Sequence, residues 1–134
     1  MTNMIFNFIT ALHLAVLSQV ESGDNDAAVG PDGEITRYQV LPSEARKEIH
    51  ENILLRGSTF ANGWERDPKV ARIIAAGIWE KRVEVFRLAY RRDPTLVELY
   101  LCWHRPGRVL NPRPKELERA QRFANLVEAL EKER

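Results

Sequence analysis

The sequence predicts an all-α fold in one domain, residues 1–134, with a small irregular or β element between the first two helices. Three observations point there. Apolar residues recur at three- and four-residue steps over most of the 134 positions, the period of a helix with one buried face. Helix-opening signals recur at Pro42, Asp67-Pro68 and Asp93-Pro94. Only residues 23–41 are rich enough in turn formers to be a long irregular segment.

The first helix is expected over residues 3–21, with Ile5, Phe8, Ile9, Leu12, Ala15, Val16 and Val20 on its inner face and Gly23 as its stop. Gly30-Pro31-Asp32-Gly33 is the strongest turn signal in the chain. Residues 35–40 are β-branched and aromatic, suited to a short strand or hairpin arm. Pro42 opens a second helix facing inward through Ala45, Ile49, Ile53 and Leu54. A glycine-punctuated loop follows, carrying Phe60 and Trp64. A third helix runs from Asp67-Pro68 to about residue 92, apolar at Val70, Ile73, Ile74, Gly77, Ile78, Val85, Phe86 and Leu88. Residues 96–103 form a very apolar, central fourth helix, ended by Arg105-Pro106-Gly107. After the Pro112–Pro114 linker, residues 115–134 make the last helix, with Leu117, Ala120, Phe123, Ala124, Leu126, Val127 and Leu130 inward.

Composition narrows the function classes. The formal charge of +1 gives no overall field to select nucleic acid. The later half is locally basic through Arg87, Arg91, Arg92, Arg105, Arg108, Arg113, Lys115, Arg119 and Arg122. These residues read either as solvated helix faces or as a cationic rim for a polymer carrying carboxylates. One cysteine, Cys102, excludes an internal disulfide and sits in an apolar run as a small buried hydrophobe. His13, His50 and His104 are scattered, so no metal is expected. No phosphate-cradling glycine loop opens a helix, so no organic cofactor is expected either. Residues 4–17 are apolar like a signal-peptide core. They lack a basic leader and run straight into Glu21, and they are short for a membrane span. They read as the buried first helix, with no stable membrane insertion, in a chain that acts as a monomer.

The stretch that carries chemistry begins at Glu21. A lone carboxyl ends an apolar helix and faces a Gly/Asp/Asn-rich loop, beyond which a Tyr38-Gln39 pair leads into Pro42. Apolar burial disfavours the charged form of a carboxyl, which suits a general acid. Alternatively, such a residue is a surface Glu at a helix end, where the macrodipole disfavours an anion.

The residues Glu21-Ser22, Asn25, Ala28, Gly33, Tyr38-Gln39, Pro42 and Ala45 resemble, without a gap, the front motifs of the soluble lytic transglycosylase domain of the lysozyme-like superfamily. Asp67-Pro68 and Gly77 are similar to that family's middle helix. Cys102-Trp103-His104-Arg105-Pro106-Gly107 stands in the place of its Ala-Tyr-Asn-Ala-Gly motif. The chain departs from the family at Tyr38 (usually Met), Thr36 (Gly), Trp103-His104 (Tyr-Asn) and Phe123 (Tyr), the last losing a hydroxyl near the acid.

The resemblance implies a lysozyme-like fold. It also implies cleavage of β-1,4 bonds in peptidoglycan or a related glycan at the cell wall, by one Glu and without a cofactor. Glu21 would be the catalytic acid and base, and the products would carry 1,6-anhydromuramoyl ends. Ser22, Tyr38, Gln39, Trp103 and His104 would bind substrate, with Gln39, Tyr38 and Trp103 sharing the cleft with Glu21. Asp24, Asp26, Asp32 and above all Glu34 are candidate second carboxylates, which would make the chain a hydrolytic muramidase. A degenerate lysozyme-like module that binds glycan or protein without turnover is the reading from another class.

Overall fold

The structure is a computed structural model that describes residues 8–52, 55 and 63–133. Five helices share one hydrophobic core: α1 (Ala11–Ser22), α2 (Pro42–Glu51), α3 (Pro68–Tyr90), α4 (Leu96–His104) and α5 (Pro114–Lys132). Short 3-10 turns at Trp64–Arg66 and Pro106–Arg108 precede α3 and follow α4. The all-α expectation holds, and the β element between α1 and α2 consists of two isolated antiparallel bridges, Val29 to Ile35 and Ile35 to Val40. None of the described helices is long and apolar enough to cross a membrane.

α1 starts later than its periodicity suggests. Residues 3–7 of the expected helix lie outside the described residues, and residues 8–10 are not helical. The Thr10 hydroxyl accepts from the His13 N–H at 3.2 Å, and His13 Nδ1 accepts from the Thr10 N–H at 3.1 Å. This is a capping box with histidine in the place usually held by Glu or Gln. Burial lowers the His13 pKa, favouring the neutral ring that can accept this bond. At the other end Gly23 adopts φ +64°, and its N–H donates to the Gln19 carbonyl at 2.9 Å. A Cβ there would meet nothing within 4 Å, so the left-handed backbone alone favours glycine.

α4 is the central helix. Leu99, Tyr100, Leu101, Cys102 and Trp103 are buried in succession, because α3 and α5 both pack on it. Burial pushes the Cys102 thiol up to about 12, as expected of a small buried hydrophobe. Trp79 of α3, fully buried, donates from Nε1 to the Leu99 carbonyl at 2.9 Å and packs its ring against Trp103 and Phe123. α5 packs on both α1 and α4 through Ala120, Phe123, Ala124 and Val127.

Several local expectations need correction. Asp67 caps α3 as expected, accepting from the Lys69 and Val70 N–H groups, with Pro68 in the first turn. Asp93-Pro94 is not the corresponding start of α4. Thr95 caps that helix in a box with Glu98, while Asp93 pairs with Arg87 at 2.9 Å. Arg92 clamps Glu98 through two bonds of 2.6 and 2.8 Å and holds its carboxyl down to about 2. Val85, Leu88 and Leu117, expected inward, are exposed, and Glu116 is buried in place of its neighbour Leu117. Ile53, Leu54 and Phe60 lie outside the described residues, whereas Trp64 is buried.

Gly77 lets α2 and α3 approach. A Cβ there would collide with the Glu48 carboxyl and stand 2.9 Å from Asn52 Nδ2. Glu48 is buried and held by Lys81 Nζ at 2.8 Å and Asn52 Nδ2 at 2.8 Å, so it cannot swing aside cheaply. Alanine gains about 1 kcal/mol of helix propensity over glycine. Overpacking costs about 1–3 kcal/mol, and a disturbed buried carboxylate adds to that. Gly77→Ala is therefore expected to lower stability by about 1 kcal/mol or more in a denaturant titration; an increase would show that the two helices are loosely packed.

Candidate functional site

Glu21 stands in the last turn of α1, one turn beyond the buried Leu17, and its side chain is 5% exposed. It lines a cleft of about 750 Å³. Three groups from other helices approach its carboxyl. The Tyr100 hydroxyl of α4 donates to Oε2 at 3.0 Å. Arg119 Nη1 of α5 stands 3.5 Å from Oε2, and His104 Nδ1 stands 3.5 Å from Oε1. These contacts offset the unfavourable end of the α1 dipole. Burial, reinforced by the Glu21 charge, raises the Tyr100 pKa, so its hydroxyl stays a donor at any pH at which the protein would work. Burial pulls the Arg119 pKa down, but Tyr100 and Glu21 outweigh it and the net shift is upward.

Tyr100 was not legible as a site residue in the sequence, and Arg119 was legible only as one member of a basic rim. One signal was present: Tyr100 and His104 are four residues apart on α4, hence on one face, and their rings stack at 5.4 Å with 22° between planes. Phe123, which lacks the hydroxyl expected near the acid, is fully buried with its ring 5.6 Å from that of Tyr100. Tyr100 thus delivers a hydroxyl to Glu21 from α4 rather than from position 123 on α5.

Gln39 and His104 line the cleft with Glu21, as does Trp103. Gln39 spends its amide donors on the Thr36 and Ala28 carbonyls, at 2.8 and 3.2 Å, and keeps its carbonyl oxygen as an acceptor beside Gly30. Trp103 is 4% exposed, packed on Trp79 and covered by the Arg82 guanidinium 5.4 Å above its ring. It is therefore chiefly core packing and offers no open stacking face.

Tyr38 and Ser22 lie outside the residues that line the cleft. The turn of residues 36–39, closed by paired backbone bonds of 2.9 Å between Ile35 and Val40, has positive φ at Thr36 (70°) and Gln39 (59°). That turn buries Tyr38 in the core. Ser22 is a staple: its hydroxyl donates to the Arg37 carbonyl at 2.8 Å and accepts from the Asn25 N–H at 3.1 Å, tying loop and turn to the end of α1.

The acidic candidates divide. Asp24 accepts from Ser18 at 2.6 Å and Asp26 pairs with Arg37 at 2.8 Å, both away from the cleft. Asp32 and Glu34 line it. Glu34 Oε1 accepts from the Asp32 N–H at 2.7 Å, so this carboxylate is held by its own loop.

Elsewhere on the same cleft, the end of α4 and the start of α5 are braced by Glu116. It accepts from Arg105 Nε at 3.0 Å, Arg108 Nη2 at 2.6 Å and the Arg113 N–H at 2.9 Å. Burial pushes the Glu116 pKa up, but these donors outweigh it and hold it down to about 2.

The arrangement offers a carboxyl 5% exposed that accepts from a hydroxyl, on the wall of a cleft of about 750 Å³. Among the described residues no group of His, Cys, Asp and Glu side chains could hold a metal ion. No protein-family model matches the chain, and no curated protein matches it in sequence.

Proposed function

We infer that the chain is a lysozyme-like lytic transglycosylase that cleaves β-1,4 bonds of peptidoglycan or a closely related glycan at the cell wall. The observation that carries this reading is Glu21: 5% exposed, in the last turn of α1, lining the cleft, with the Tyr100 hydroxyl bonded to one of its oxygens. The short bridged loop between α1 and α2, with Gln39 in the cleft, supports it, as does the ungapped likeness of residues 21–45 to the family's front motifs.

In this reading the Glu21 carboxyl gives its proton to the glycosidic oxygen as the bond from that oxygen to C1 breaks. The resulting carboxylate takes the proton of the muramoyl C6 hydroxyl as O6 closes on C1. This yields a 1,6-anhydro end and returns the carboxyl to its starting state without water. Tyr100 and Arg119 orient the carboxyl, and the neighbouring His104 limits its swing.

A second reading has its own observation. Glu34 lines the same cleft and could activate a water from the far side of the sugar, making the chain a two-carboxylate hydrolase. Mass analysis of peptidoglycan digested by the parent chain and by Glu34→Gln decides between them. Anhydro ends from both are expected. Reducing ends from the parent, lost in the Glu34 variant, would establish the hydrolase. Absence of any released glycan would leave a module that binds without turnover.

A further inference from the structure

The cleft is electrically lopsided. Its α4–α5 side contributes Arg105, Arg108, Lys115 and Arg119, and the carboxylate among them is Glu116. The loop between α1 and α2 contributes Asp32 and Glu34. Glu44, farther along, is matched by Arg82, which bonds to it. The side chains of Arg105 and Arg119 are half exposed, at 50% and 49%. Lys115 is exposed and has no ion pair among the described residues. Arg108 is 35% exposed, and its Nε is buried without a partner among the described residues. Re-aiming that guanidinium toward an incoming acceptor therefore breaks nothing at Nε.

Glu116 holds this side in shape without cancelling it, since one carboxylate is shared between two guanidiniums and Lys115 and Arg119 lie outside that pairing. A concave site with low-dielectric walls strengthens such a field. A guanidinium is also the side chain best matched to a carboxylate.

We propose that the α4–α5 side of the cleft, through Arg105, Arg108 and Lys115, is a recognition site for carboxylate substituents of the bound glycan. The proposal rests on the glycan-cleaving reading and deepens it. A carboxylated strand lies with its acidic substituents toward Arg105 and Lys115 and its uncharged face toward Asp32 and Glu34. The reverse orientation sets acid against acid along the loop, so the charge pattern orients the strand as well as holding it.

Binding is measured by titration calorimetry in the Glu21→Gln chain, which removes turnover from the readout. Three probes are used: soluble peptidoglycan strands with their stem peptides; the same strands stripped of stems but keeping the lactyl carboxylates; and neutral chitooligosaccharides. Arg105→Gln with Lys115→Gln is expected to weaken binding of the carboxylated strands about 5–10-fold, as two partly exposed charge contacts would. Added salt should weaken binding of those strands in the same direction. Chitooligosaccharide binding is expected to be unchanged, which also shows that the variant is folded. Loss confined to the intact strands assigns the carboxylate to the stem peptide; loss in both assigns it to the lactyl group.

Equal binding of neutral and carboxylated glycans, indifferent to the two substitutions, would overturn the proposal, as would failure of both carboxylated strands to bind. Charge-dependent binding by a parent chain that releases no glycan would leave this site standing and remove the catalytic reading. Lysis by the parent without charge dependence would do the reverse.

Discussion

Glu21→Gln is expected to slow cell-wall lysis by about 10²–10⁴-fold, the usual contribution of a positioned acid–base group. The substitution is nearly isosteric and keeps an oxygen that can accept from the Tyr100 hydroxyl. The ionic contact with Arg119 is lost, but that side chain is half exposed, so stability should change by less than about 1 kcal/mol. The two measurements belong together: turbidity clearance should collapse while the melting curve barely moves. Lysis within a few-fold of the parent would remove Glu21 from the chemistry and leave the cleft a binding site.

The second large effect is expected at Tyr100. Its ring is fully buried, and its hydroxyl stands 3.0 Å from Glu21 Oε2. Tyr100→Phe keeps the packing against Phe123 and the stack on His104 and removes only the donor. A hydrogen bond to a charged group contributes about 1.5–3 kcal/mol. Where the carboxyl must hold one orientation through two proton transfers, that corresponds to about a 10–100-fold fall in kcat. Tyr100 is not among the residues that line the cleft, so KM should stay near the parent value. A rise in KM alone, or no change in rate, would reduce Tyr100 to a structural partner of Glu21.

These two residues mark where the sequence could be read and where it could not. Glu21 was legible because local pattern defines it: an apolar helix, a left-handed glycine two residues on, then a turn-rich loop. The start of α3 and the end of α4 were legible for similar reasons, since Asp67-Pro68 is a local start signal and Arg105-Pro106-Gly107 a local stop signal. Tyr100 was hidden because its partner is 79 positions away and its neighbours in sequence are all core residues. Tyr38 was misplaced toward the cleft because its direction depends on positive φ at Thr36 and Gln39. Neither is glycine, so nothing in their identity announces that backbone. Leu117 and Glu116 exchanged their expected places because an arginine pair pulls the carboxylate inward, and hydrophobic periodicity does not record charge pairing.

The setting of Glu21 also bears on how the molecule comes into being. Its carboxyl is anchored by Tyr100 from α4 and faced by Arg119 from α5, contacts between distant stretches of the chain. Helices form quickly from local bonds, whereas contacts of high sequence separation wait for loop closure. A newly made chain is therefore expected to form its helices before Glu21 meets Tyr100 and Arg119, so that on the proposed reading catalytic geometry would arrive only when α5 docks.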